Sequence, residues 1–204
     1  MEKIKTKLPF TLTESQDTTI EEIHNDIGKP HPMRRLLQGD VGSGKTIVAL
    51  LGLLPVLENG YQVVFLAPTG ILAQQHYQSI SKLLDKKYKI SLITKETYNE
   101  LDTKSQLLIG THAILKHKSE LIHNLAMVII DEQHRFGVEQ RRELLELKSN
   151  NKVPHLLQLT ATPIPRTVAL TLFGDYQVSK IYPPKERKMI RTFFGPGAKT
   201  SRLL

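Results

Sequence analysis

The chain has no cysteine among its 204 residues, which excludes disulfides and cysteine-ligated zinc. It also has no stretch of about 18 consecutive apolar residues, the length a helical membrane span requires. The opening MEKIKTKLPF is basic, but no apolar core of a secretory leader follows it, so a cytoplasmic location is expected. There is no block of five or more like charges, no internal repeat and no low-complexity tract. The eight histidines are scattered, and no pair stands at a metal-binding spacing with a third ligand. Most of them are expected at the surface or satisfied in the core.

What is present suits one ordinary domain, or at most two small ones. About 40% of the residues are hydrophobic, enough for a core. Lys plus Arg is 28 and Asp plus Glu is 20, a net charge of +8. Such a surplus favours polyanions such as nucleic acid, although it does not by itself identify one.

Residues 1–12 read as an extended opening segment. Thr13-Glu14-Ser15-Gln16 has the form of a capping box, and Ile20, Ile23 and Ile27 then recur at helical spacing up to Gly28, a C-terminal cap. The pattern predicts strands over Arg35–Gln38, Val63–Ala67, Ile90–Ile93, Leu107–Ile109, Met127–Ile130, Leu156–Leu159 and Gln177–Lys180. It predicts helices over Lys45–Glu58, Ile71–Leu84, Val138–Leu147 and Pro165–Leu172. Alternating strands and helices imply an α/β fold, a mostly parallel sheet with helices on both faces. The strands are continuous apolar runs, as strands covered on both faces should be. Residues 13–181 form the expected domain. Residues 182–204, with PPKER and GPGAK, read as a linker.

The stretch GDVGSGKT, Gly39 to Thr46, fits the phosphate-loop pattern G-x-x-x-x-G-K-[ST], and it lies between a predicted strand and a predicted helix, where that loop belongs. Gly39, Gly42 and Gly44 let the backbone approach closely. The amides around Ser43 and the helix N-terminus point at a β-phosphate. Lys45 is placed to reach the β- and γ-phosphates, and the Thr46 hydroxyl to hold Mg²⁺. Metal-dependent phosphoryl transfer also needs an acid at the end of an apolar strand. MVIIDEQH supplies Asp131 for Mg²⁺ and Glu132 one residue on, where it can polarise an attacking water. A water activator separates hydrolysis from kinase chemistry.

From here the residues resemble superfamily 2 helicases. Asp131-Glu132-Gln133-His134 is similar to the DEAD/DEAH-type box, in a DEQH form, and Thr160-Ala161-Thr162 to the S/TAT element. The resemblance implies that Gln133, His134, Thr160 and Thr162 couple hydrolysis to the nucleic-acid track. APTGILAQQH, 67–76, resembles the first strand-contacting element, and Gly110-Thr111-His112 another. Together with Arg166 they imply DNA contacts at Pro68, Thr69, Gly110, Thr111 and Arg166. LPFTLTESQ resembles the Q-motif, with Phe10 and Gln16 at the nucleotide and the glutamine reading adenine. The capping box is a competing account of Gln16.

Longer strings, DEQHRFGVEQR and TATPIPRTVALTLFGD, resemble the RecG family of branch-migration helicases from about residue 8 to residue 192. The family of transcription-repair translocases shares HRFGV and TATPIPRT, with DEEH expected in place of DEQH. The resemblance implies a RecA-like P-loop domain that uses ATP and Mg²⁺ and acts on branched DNA. It also implies partners in the parent protein: a second lobe carrying an arginine finger, and an N-terminal wedge. The finger's Q-x-x-G-R-x-G-R string is absent from the sequence. The expectation is an ATP-binding motor lobe that hydrolyses ATP poorly alone. The competing readings are a nucleic-acid-binding module without turnover and a small-molecule P-loop kinase. A kinase would lack TATPIPRT.

Overall fold

The computed structural model of the chain describes residues 2–97, 104–132, 143, 152–162 and 176–183. Among these residues the strands are β1 (Arg34–Gln38), β2 (Gln62–Leu66), β3 (Ile90–Ile93), β4 (Leu107–Gly110), β5 (Leu125–Asp131), β6 (His155–Thr160) and β7 (Gln177–Lys180). The helices are α1 (Glu2–Lys5), α2 (Glu14–Ile27), α3 (Lys45–Glu58), α4 (Gly70–Leu83), α5 (Ala113–Lys116) and α6 (Lys118–Leu121). The strands form one sheet in the order β3-β4-β2-β5-β6-β1-β7, and each pairing is parallel.

Because side chains alternate across a strand, each strand feeds two cores. Leu37, Phe65, Ile109, Ile129 and Leu159 share one cluster with Ile23 of α2, the buried side of α3 and Ile80 of α4. Leu36, Val64, Leu108, Val128 and Ile130 share the other with Ala113 and Ile114 of α5 and Leu121 of α6. Both faces are therefore covered, as the apolar runs predict. Helix α3 is buried from Val48 to Leu57 apart from Pro55, since α2 lies over its outer side. The two helices cross closely at Gly52, where a Cβ would meet Ile23 at 3.0 Å.

The predicted strands and the helices α2, α3 and α4 are found within a residue or two of their expected ends. The capping box at Thr13 and Gln16 is present. The opening segment differs from its expectation. Residues 2–5 form a helical turn rather than extended chain, because Ile4 is buried in the core and Lys5 pairs with Asp17 of α2 at 2.7 Å. The four-residue helices α5 and α6 carry too little periodicity to be read from sequence. The predicted helices Val138–Leu147 and Pro165–Leu172 lie outside the described residues, Glu143 apart.

A buried ionic network joins α2 to the β1–β7 edge. The Arg35 guanidinium donates to Asp26 at 2.6 and 3.0 Å and to Glu22 at 2.7 Å. It also donates to Ser179 and Gln177 of β7, and Ser179 in turn donates to Glu22. Lys29 completes it on Asp26 at 2.6 Å. Arg35 and Asp26 side chains are each 6% exposed, so every charge in the centre has a partner, as burial demands.

Candidate functional site

The glycine-rich loop runs from the end of β1 to the start of α3, at the carboxyl edge of the sheet where ligands bind in such folds. Gly42 and Gly44 have φ of 78° and 87°, a region open to glycine and strained for other residues. A Cβ on Gly39 would meet Ser43 Oγ at 2.5 Å and the Ile181 carbonyl at 2.9 Å, so the loop's first turn tolerates no side chain. Ser43 is fully buried. Its hydroxyl has no hydrogen-bond partner among the described residues.

Lys45 folds back over the loop, donating to the carbonyls of Gly39 at 2.6 Å and Asp40 at 3.1 Å. Burial pulls its pKa below the ordinary lysine value, against the opposing charges of Glu132, Asp131 and Asp40. Those charges place the strand-end acids and the loop lysine in one electrostatic site.

Asp131 ends β5. Its Oδ2 accepts from His76 Nε2 of α4 at 2.9 Å. Glu132 follows with φ of 49°, the left-handed region that non-glycine residues rarely enter. Two bonds hold it there. Its amide donates to the Leu159 carbonyl at 3.0 Å, and its Oε1 accepts from the Ala161 amide at 3.0 Å. Thr160 and Thr162 hydroxyls lie 2.8 Å apart, and the Thr162 carbonyl accepts from Gln38 at the foot of the phosphate loop at 3.2 Å. Asp131, Glu132, Lys45 and the Thr160–Thr162 turn thus meet at the ends of adjacent strands β5, β6 and β1.

Gln16 serves two places at once. Its Oε1 accepts from the Thr13 amide at 2.8 Å, closing the helix cap, while its Nε2 donates to the Ser43 carbonyl inside the loop at 2.8 Å. The side chain is buried, with 3% of the residue exposed, and a Cβ on Gly44 would strike Nε2 at 2.5 Å. The cap is therefore formed, and the same side chain also braces the glycine-rich loop. Phe10 is 46% exposed.

The expected DNA contacts divide. Thr69 is exposed and Pro68 half-buried, and Thr69 Oγ1 caps α4 through the Leu72 amide at 3.3 Å. Gly110 and Thr111 are buried. A Cβ on Gly110 would lie 2.1 Å from the Ile93 carbonyl, so the neighbouring strand also requires glycine there. Gln133, His134 and Arg166 lie outside the described residues.

No group of three or more His, Cys, Asp or Glu among the described residues could hold a metal unaided. Asp131 offers a carboxylate and Thr46 a hydroxyl, oxygen donors of the kind Mg²⁺ takes. What the sequence did not disclose is the His76–Asp131 contact and the Ala161 amide that holds Glu132. Nothing in a linear pattern marks a partner 55 residues away.

The DEAD/DEAH box helicase family model matches residues 13–171. The chain is 49% identical to an ATP-dependent DNA helicase RecG of Borreliella burgdorferi, over 95% of this chain and 29% of that protein. It is 48% identical to the RecG of Aquifex aeolicus, over 92% of this chain and 25% of that one. The chain therefore spans between a quarter and a third of the length of these relatives. Among solved structures, RecG bound to a three-way DNA junction superposes with a TM-score of 0.76 at 38% identity, covering 92% of this chain and 26% of that one. A DEAD box protein from Methanococcus jannaschii superposes with a TM-score of 0.69 at 25% identity, covering 88% of this chain and 52% of that one.

Proposed function

The chain belongs to the DEAD/DEAH box helicases, and from that premise we propose that it is the ATP-binding motor lobe of a DNA translocase that remodels branched DNA, such as stalled forks and Holliday junctions, in recombination and repair. The observation that carries the proposal is the meeting of the phosphate loop, the Asp131–Glu132 strand end and the Thr160–Thr162 turn at the ends of β1, β5 and β6, with Glu132 bonded to the Ala161 amide and Thr162 to Gln38.

In this reading the loop amides and Lys45 bind the β- and γ-phosphates of ATP. Thr46 and Asp131 would hold Mg²⁺, which would neutralise phosphate charge as the bond to the γ-phosphoryl group breaks. Glu132 orients a water for in-line attack and accepts its proton. The Ala161 bond fixes the carboxylate for that task and links it to the Thr160–Thr162 turn. Gln133 and His134 belong to the same coupling. Gln16 braces the loop and reads adenine from its edge, and Phe10 offers an exposed ring to the base.

The residues that contact DNA are Pro68, Thr69, Gly110, Thr111 and Arg166. Contacts of this kind go to phosphates and carry no base specificity, so binding falls steeply with salt. An arginine finger from a second lobe of the parent protein completes the hydrolysis site; such a finger is worth about 10³–10⁵ in rate. A wedge domain of the parent selects the branch point. A cytoplasmic location belongs to the same reading.

The test compares ATP hydrolysis by the full-length parent with and without a synthetic three-way junction. Stimulation by DNA at low salt, lost as salt rises, is the expected result. Hydrolysis indifferent to DNA would overturn the translocase reading. The 204-residue chain is expected to bind ATP and to hydrolyse it far more slowly than the parent.

A further inference from the structure

One polar contact at the site belongs to none of the roles above. His76 lies in the middle of α4, the helix that Thr69 caps, yet its Nε2 reaches Asp131 Oδ2 at 2.9 Å. Both side chains are largely buried, 12% and 14% exposed. The other side of the imidazole rests on Phe65 of β2, with ring centroids 4.8 Å apart and tilted by 47°. A carboxylate can only accept, so the imidazole must carry its proton on Nε2. The ring is thus held by packing on one side and by a hydrogen bond on the other, and the carboxylate's rotation is held in turn.

We propose that His76 is a positioning residue for the metal-binding carboxylate: it fixes the rotamer of Asp131 and so sets how well the site takes up Mg²⁺ with nucleotide. The inference rests on the ATP-site reading given above. It deepens it by assigning the orienting role to a side chain of α4 rather than of the loop or the acidic strand. The physical ground is general. Partners that hydrogen-bond a ligating group orient it, and a free carboxylate would lose rotational freedom on binding metal that this one has already lost.

Two substitutions separate the donor from the ring. His76→Phe keeps a ring against Phe65 and removes the N–H. His76→Gln places an amide N–H close to where Nε2 stands. Binding of a fluorescent ATP analogue to the chain is titrated with MgCl₂, and repeated with a fluorescent ADP analogue in EDTA. In His76→Phe the Mg²⁺ concentration for half-maximal binding should rise about tenfold, and in His76→Gln less than about threefold, the usual loss for an outer partner being 10- to 100-fold. Metal-free ADP binding should be unchanged in both, a result that general loosening of the fold would not give. An unchanged Mg²⁺ requirement in His76→Phe would overturn the proposal, as would an equal defect in the two variants. If His76→Phe does not fold, His76→Leu replaces it with the same expected shift. Lys45→Ala runs alongside: nucleotide binding insensitive to Lys45 would overturn the ATP-site reading itself, which distinguishes that failure from the failure of His76 alone.

Discussion

The Glu132 carboxylate accepts a hydrogen bond from the Ala161 amide at 3.0 Å. Two strands that are neighbours in the sheet, β5 and β6, are thereby tied a second time beyond their ends. Glu132 is held in a left-handed conformation of a kind that costs about 1–3 kcal/mol and persists only where its surroundings impose it. The tie therefore commits the acid to one orientation.

Glu132→Gln keeps the Oε1 that Ala161 uses, so the fold and nucleotide binding should survive. Hydrolysis by the full-length parent should fall by about 100-fold or more, since a positioned general base contributes about 10²–10⁴. Parallel measurements of nucleotide affinity and steady-state turnover check this; unchanged turnover would move the water-positioning role elsewhere.

Lys45→Ala removes the cation that now satisfies the Gly39 and Asp40 carbonyls. Hydrogen bonds involving a charged group are worth about 1.5–3 kcal/mol, so ATP affinity should fall by about 10- to 100-fold. Calorimetric titration of ATP into the variant gives the answer directly.

Gln16→Ala strips the reciprocal half of the capping box and the brace on Ser43, while the Thr13 hydroxyl still accepts from the backbone amide of residue 16. The weakened cap costs up to about 1 kcal/mol, and the brace about 0.5–1.5 kcal/mol more. Thermal melting reads that sum. Competition between ATP and GTP on the same variant reads the adenine role, which predicts a narrowed preference; an unchanged ratio would leave Gln16 as cap and brace only.

Asp26 gives a pH-dependent prediction. Burial pushes its pKa up, but the hydrogen bonds and charges of Lys29 and Arg35 outweigh burial and hold the carboxyl below its ordinary 3.8. A depressed folded-state pKa contributes stability that is present above the unfolded value and is lost as pH falls through the folded one. Asp26→Asn should cost about 3 kcal/mol near neutral pH, the scale of breaking a buried pair. The gap between variant and parent chain should close below pH 3.8. Denaturant unfolding at several pH values measures it, and a gap independent of pH would refute the linkage.

Gly110→Ala tests whether that glycine serves packing. Its Cβ would press on the Ile93 backbone carbonyl at 2.1 Å, and overpacking of this kind costs about 1–3 kcal/mol. A lowered melting temperature is expected. A variant of full stability with weakened DNA binding would restore the track as the reason for the glycine.

The residues that sequence made legible are those whose reason is local. The apolar runs of the strands, the Thr13–Gln16 cap and the Gly39–Thr46 loop each carry their cause within a few neighbours, whereas the order of the strands does not. The rest depends on what folding brings together. His76 and Asp131 stand on different elements, as do Arg35, Asp26 and Ser179, and no spacing reveals such partners. Gly110 belongs with them: at the end of β4, its need for glycine comes from the Ile93 carbonyl of the neighbouring strand, which no local pattern displays. The turn at residues 2–5 is similar, since only the core into which Ile4 inserts makes it helical.

Strand β7 lies alongside β1 in parallel, paired from Arg35 with Gln177 to Gln38 with Lys180. Its far end is clamped by the Arg35 network, and just past its near end the Tyr182 amide donates to Ser15. Tension drawn along β7 from its Lys180 end would be a shear load, shared across the whole ladder at once, whereas tension across the sheet would peel the pairs apart in turn. Pulled along its length, this edge strand would resist as one unit with β1, the strand whose end carries the phosphate loop.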